Sequence, residues 1–359
     1  MSRAETTDKP VLLAPTPRTT LVALVIGGFG GWLATLAGLP LAWMIGAMSA
    51  TTAAAALGAP IAMPIRFRQI MIAVLGIMLG AGFSPDILER IGEWAISLAA
   101  LALYAAAAGG AGLFYFRRIC GYDAITAYFS AMPGGMAEMI LVGTEMGGDA
   151  RVISLTHAAR VMLVVLALPF AFQMLIGYGP AGRPPPGLPL AEVSGADLAV
   201  LAACGLLGFF LARLLRLPAA GLTGPMILSA AVHILGWTTA KPPFELVAAA
   251  QVVIGTAIGC RFAGVTARLL LRTAAAAAGG TVVLLSATIA FAIGLAQFTG
   301  LPAVPLMLAF SPGGLAEMSL IAIAIGADAA FVVTHHVVRI FMIVVFAPLA
   351  FKLMARGRR

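Results

Sequence analysis

The chain has 359 residues, of which 61% are hydrophobic and only 10% charged. That balance leaves too few polar side chains to coat a water-soluble globule of this size. With about 20 apolar residues per crossing, it gives room for roughly ten to twelve membrane segments. The net charge of +8 does not mark a nucleic-acid patch, because the Lys and Arg residues stand singly or in pairs between apolar runs, as the positive-inside rule requires.

Residues 1–18 are polar, carry Arg3, Lys9 and Arg18, and lack a small-residue cleavage pattern. They read as a cytoplasmic tail ahead of an uncleaved signal anchor. A first membrane repeat follows over 19–178, with apolar runs near 19–39, 40–57, 69–83, 94–116, 124–146 and 152–178. Residues 179–196 (GPAGRPPPGLPLAEVSGA) have the composition of an extended linker outside the lipid. A second repeat occupies 197–355, with runs near 198–215, 218–236, 246–262, 269–298, 302–325 and 331–354, and a basic tail closes the chain at 356–359. Cys120, Cys204 and Cys260 form no close pair in sequence, which argues against a disulfide framework, a zinc knuckle or a dithiol site. No cofactor is expected.

The two repeats match residue by residue. Pro133-Gly134-Gly135-Met136-Ala137-Glu138-Met139 recurs as Pro312-Gly313-Gly314-Leu315-Ala316-Glu317-Met318, an offset of 179 that also carries Asp149 to Asp328, His157 to His336 and Arg160 to Arg339. Nearer the front of each half the offset is 178, pairing Gly27 with Gly205, Pro40 with Pro218 and Gly46 with Gly224.

Orientation follows from the basic residues. If all twelve runs cross the bilayer, the loops holding Arg213, Arg216, Arg261, Arg268 and Arg272 fall on the outer face. If one equivalent run per half enters and leaves on the same side, only Arg90, Arg183 and Lys241 remain outside, and Arg160 and Arg339 lie within the membrane. The fifth run of each half, broken by Pro-Gly-Gly, is the natural non-crossing one. Five crossings per half is an odd number and turns the second repeat upside down. The expected fold is therefore an all-α polytopic membrane protein of two inverted repeats, with a broken or re-entrant segment in each; whether that segment is a hairpin or a discontinuous crossing helix is open.

Proline removes a backbone donor and glycines do not hold a helix, so Pro133, Gly134, Gly135 and Pro312, Gly313, Gly314 should break their segments at mid-depth. The freed N–H and C=O groups are tolerable only inside protein or beside an aqueous cavity, which places both motifs at the centre of the molecule. A packed structural kink is the plainer alternative. Glu138 and Glu317 stand early in the second half-helix, where the positive dipole end stabilises a carboxylate, and intramembrane acids are candidates to bind a proton or cation. Asp149 and Asp328 lie where helix N-caps belong. His157 with Arg160, and His336 with Arg339, share one helix face, and the buried arginines should find a carboxylate among Glu138, Glu317, Asp149 and Asp328. His233 and His335 have no repeat partner and read as ordinary polar positions. Gly27/Gly31, Gly76/Gly80 and Gly255/Gly259 are spaced for close helix approach.

At the paired PGG-(M/L)-AEM motifs, each followed by Asp and His-x-x-Arg, the sequence resembles the AbrB-type membrane protein family, whose members carry this domain twice. The likeness covers roughly residues 20 to 355. The resemblance implies kinship with the cation–proton antiporter and anion transporter superfamily. Family members are labelled AbrB family transcriptional regulators or ammonia monooxygenases. A DNA-binding role needs a soluble basic domain for which the termini leave no room, and four histidines without a local carboxylate cluster make a poor metal site, so no enzyme is expected. The expectation is an ion-coupled secondary transporter of the inner membrane with both termini cytoplasmic. Its partners are the lipid bilayer and an unidentified small solute or ion, with homo-oligomerisation open. The alternative is a membrane-embedded regulator or sensor that affects gene expression indirectly.

Overall fold

The computed structural model describes residues 14–85, 87–176 and 187–356, and these fold into helices joined by short turns. Most of the expected N-terminal tail, the first part of the linker and residues 357–359 lie outside the described residues. In the first half, α1 (Pro17–Leu36), α2 (Ala42–Ala56), α3 (Ile65–Gly80), a single turn α4 (Ile87–Arg90) and α5 (Ala95–Phe114) are followed by α6 (Ala124–Ala131), α7 (Met136–Glu145) and α8 (Ala150–Ile176). The second half repeats the series as α9 (Gly195–Leu214), α10 (Ala220–Ile234), α11 (Phe244–Gly259), α12 (Ala267–Thr299), α13 (Ala303–Phe310), α14 (Leu315–Ile325) and α15 (Ala329–Arg356). Even a left-handed residue is duplicated: Leu41 (φ 48°) and Ala219 (φ 50°) precede α2 and α10, each just after a proline.

Seven of the described helical stretches are long and apolar enough to cross a membrane, so the chain is a multi-pass membrane protein. The helices α2, α3 and α10 fall short, at 15, 16 and 15 residues. At 1.5 Å per residue they span about 23 Å against a hydrocarbon core of about 30 Å. Counting them reaches the lower end of the expected ten to twelve, with five in each half.

These short helices form the seam between the halves. Gly76 and Gly80 of α3 lie against the backbones of Leu222 and Met226 of α10, while Gly255 and Gly259 of α11 lie against Met44 and Thr51 of α2. In both pairs the residue numbers rise together, so α3 runs parallel to α10 and α2 parallel to α11. Each contact places a glycine where any Cβ would strike the partner, which explains the small-residue spacing. Within each half the first two helices cross at facing glycines, Gly30 on Gly46 and Gly208 on Gly224. The largest buried cluster draws on both halves, with Met44, Met48, Leu75, Leu222, Met226 and Ile254 at its seam.

Candidate functional site

Pro-Gly-Gly ends one helix and starts another in each half. Helix α6 stops at Ala131 and α7 starts at Met136; α13 stops at Phe310 and α14 starts at Leu315. In the first half the two arms fold back on each other. The N–H of Asp149 donates to the Thr126 hydroxyl at 2.9 Å, and Gly143 of α7 packs on Phe129 of α6. The far end of α7 thus returns to the start of α6, as in a hairpin rather than a straight broken helix. Its arm α6 has 8 residues, about 12 Å, against a hydrocarbon core of about 30 Å.

A helix that stops there leaves its last carbonyls without partners. The following long helix supplies them. His157 of α8 meets the Phe129 carbonyl through Nε2 at 2.8 Å, and Arg160 donates to the carbonyls of Ser130 and Met132 at 3.2 Å each. In α15, His336 Nε2 meets the Leu308 carbonyl at 3.0 Å, while Arg339 donates to Phe310 at 3.3 Å, Ser311 at 2.6 Å and Gly313 at 3.3 Å. Each arginine also donates to Nδ1 of its own histidine, at 2.8 Å and 3.0 Å. A guanidinium has no acceptor, so Nδ1 must be bare and Nε2 must carry the proton given to the carbonyl; both histidines are neutral. The His-x-x-Arg element is a clip on the C-terminal end of the broken helix, where a cation also suits the dipole.

The expected carboxylate partner for Arg160 and Arg339 is therefore not the one found. Freed carbonyls, abundant only where a helix is interrupted, take its place. Among the described residues the ion pair present joins Arg90 to Asp328, away from both arginines. Arg90 also sits over the ring of Trp94. Asp149 caps α8, accepting from the N–H of Arg151 at 2.9 Å and Val152 at 3.0 Å, and Asp328 accepts from Phe331 N–H at 3.0 Å.

Glu138 and Glu317 lie in the first turn of α7 and α14. Each carboxylate folds back over the second glycine of its motif: a Cβ on Gly135 would collide with Glu138, and one on Gly314 with Glu317. Gly135 (φ −62°, ψ 127°) and Gly314 (φ −75°, ψ 153°) hold backbone angles open to any residue. Room for the acid, not backbone freedom, explains the second glycine. Gly134 has a different neighbour, since a Cβ there would stand 2.7 Å from Ile343 Cγ2 of α15, seating the first tip on the opposite half. The expected outcome for Gly135→Ala is a folded protein within about 1 kcal/mol of wild type, its glutamate pushed off the helix end. Thermal unfolding checks this; a collapse in melting temperature would return the glycine to a backbone role.

The two acids are not alike. Glu317 is 6% exposed, whereas Glu138 is half-buried. Arg261, in the turn just after α11, donates to Ser154 Oγ at 3.3 Å and acts electrostatically on Glu317; its counterpart in the first half is Gly82. Tyr104, fully buried, joins the centre through its hydroxyl to Thr288 at 3.0 Å and feels the charge of both Arg160 and Arg339. His335, wholly buried, bridges Ser97 at 2.8 Å and the Phe331 carbonyl at 2.8 Å; His233 faces the carbonyls of Ser229 and Ala240. Sequence reasoning missed Tyr104, Thr288 and Arg261, which break the repeat and so carry no doubled signal. Four buried polar atoms near the tips lack any partner: Ser130 Oγ, Ser311 Oγ, Arg160 Nε and Arg339 Nε.

The family model described as "Transition state regulatory protein AbrB" matches residues 43–355. A Bacillus subtilis (strain 168) protein, "Uncharacterized protein YhjN", is 27% identical over 92% of this chain and 92% of its own length. The "Putative regulator AbrB" of Escherichia coli (strain K12) is 27% identical over 86% of this chain and 89% of its own.

Proposed function

This chain belongs to the AbrB family, and from that premise we propose that it is an ion-coupled secondary transporter of the inner membrane, with its site between the two Pro-Gly-Gly tips. The halves are inverted repeats and both termini are cytoplasmic. Support for inversion lies in the seam: α2 and α3 follow one another through a short loop and so run in opposite directions. Helix α11, parallel to α2, then runs against α3, its own repeat mate, and α10 likewise runs against α2. The hairpin of α6 and α7 supports the same reading, because a non-crossing segment leaves five crossings per half.

One observation carries the function: each half holds a helix break inside the bundle with a carboxylate on the fresh N-terminus, and an ionisable group in a membrane interior is by default one that handles an ion or solute. Glu138 and Glu317 take up protons or cations, and the halves move to open the site to each side in turn. Purified protein in lipid vesicles, with a trapped pH dye and an imposed sodium gradient, tests this. Glu138→Gln and Glu317→Gln should each lower proton movement at least tenfold; unchanged movement in both removes the glutamates from the mechanism.

The family description and the Escherichia coli relative's name favour a second reading, a membrane regulator acting through a partner. It predicts a change in gene expression without flux, and a partner that co-purifies on the cytoplasmic side.

A further inference from the structure

We infer that the solute carried at this centre is a small oxyanion or carboxylate. The inference deepens the transporter reading and rests on its central site.

The charges at the tips lead there. Arg160 and Arg339 are 3% and 2% exposed, and the hydrogen-bond pattern leaves His157 and His336 neutral. Among the described residues, two guanidinium charges are thus buried without a carboxylate inside ion-pairing distance, and the carbonyls that hold them carry only partial charge. Part of their hydrogen-bonding capacity is also unspent. The Nε of each arginine has no partner, and the Ser130 and Ser311 hydroxyls, both fully buried, have none either. Each serine belongs to the same turn whose carbonyl its arginine grips, at 3.2 Å for Ser130 and 2.6 Å for Ser311. One unpartnered hydroxyl and one unpartnered guanidinium N–H therefore accompany each tip.

An arginine Nε can only donate, so the complement is an acceptor with several lone pairs and negative charge. A cation is repelled by the two buried guanidinium groups and finds no lone pair at either Nε.

The test reads binding, not transport, so that it stands apart from the flux experiment. The melting temperature of the protein in lipid nanodiscs is followed while sodium chloride is replaced by sodium acetate, phosphate or sulfate at constant sodium and ionic strength. At least one anion should raise it saturably above the chloride baseline. Because the arginines also hold the fold, the decisive variant is Ser130→Ala with Ser311→Ala. It should melt as wild type without ligand and bind the active anion at least tenfold more weakly. No saturable rise with any of the three anions, or an equal rise in the serine variant, overturns the proposal. Anion binding with no flux of that anion in vesicles would instead sink the transporter reading and leave the site standing.

Discussion

Replacing Arg339 by leucine should leave little folded protein. The side chain holds three carbonyls and a histidine in a water-poor interior, and leucine satisfies none of them. A buried carbonyl without a partner costs about 1–3 kcal/mol, so the three together cost about 3–9 kcal/mol, against a typical total stability of about 5–15 kcal/mol. Arg160→Leu frees two carbonyls and should cost less. Lysine at 339 keeps the charge but offers one compact donor group in place of a fork, and should restore part of the loss. Monodispersity and melting temperature in mild detergent are the readouts. A leucine variant that melts within about 2 °C of wild type would show that something other than the arginine holds the α13 terminus.

The second expectation is all-or-none. In a cysteine-free background, single cysteines at Arg118 and Glu145 should react with a membrane-impermeant maleimide from the cytoplasmic side. Cysteines at Gln297 and Ala327 should react from the outside. The first pair brackets the α6–α7 hairpin and the second brackets α13 and α14. Both members of a pair label from one face only if the segment between them turns back, and the two pairs label from opposite faces only if the halves are inverted. Glu145 reacting from outside would mean that the first broken segment crosses.

Much of the architecture was legible because it is written along one dimension. A proline followed by two glycines interrupts a helix wherever it stands, and a fixed offset links Glu138 to Glu317 without knowledge of the fold. The basic residues likewise report the sidedness of loops one by one. The partners of Arg160 and Arg339 were not legible for a physical reason. Every residue carries a carbonyl, and which ones fall vacant depends on how the chain folds back some 28 residues earlier. Counting side-chain charges therefore led to carboxylates. The second glycine of the motif was read as a helix breaker alone, because the sequence does not show a carboxylate folding back onto it. Arg90 with Asp328 joins residues 238 positions apart, beyond any local pattern, and the shortness of α2, α3 and α10 is hidden by apolar residues in the flanking turns.

The parallel seams have a bearing on biogenesis. When the ribosome has made α3, the bare glycine surfaces at Gly76 and Gly80 have nothing to rest on, and they wait until Leu222 and Met226 are synthesised. Lipid must fill those grooves in the meantime, and α10 and α11 must then displace it. Neither half is a finished body by itself, so maturation in the bilayer is a late zippering of the two, complete only after α11 has been inserted.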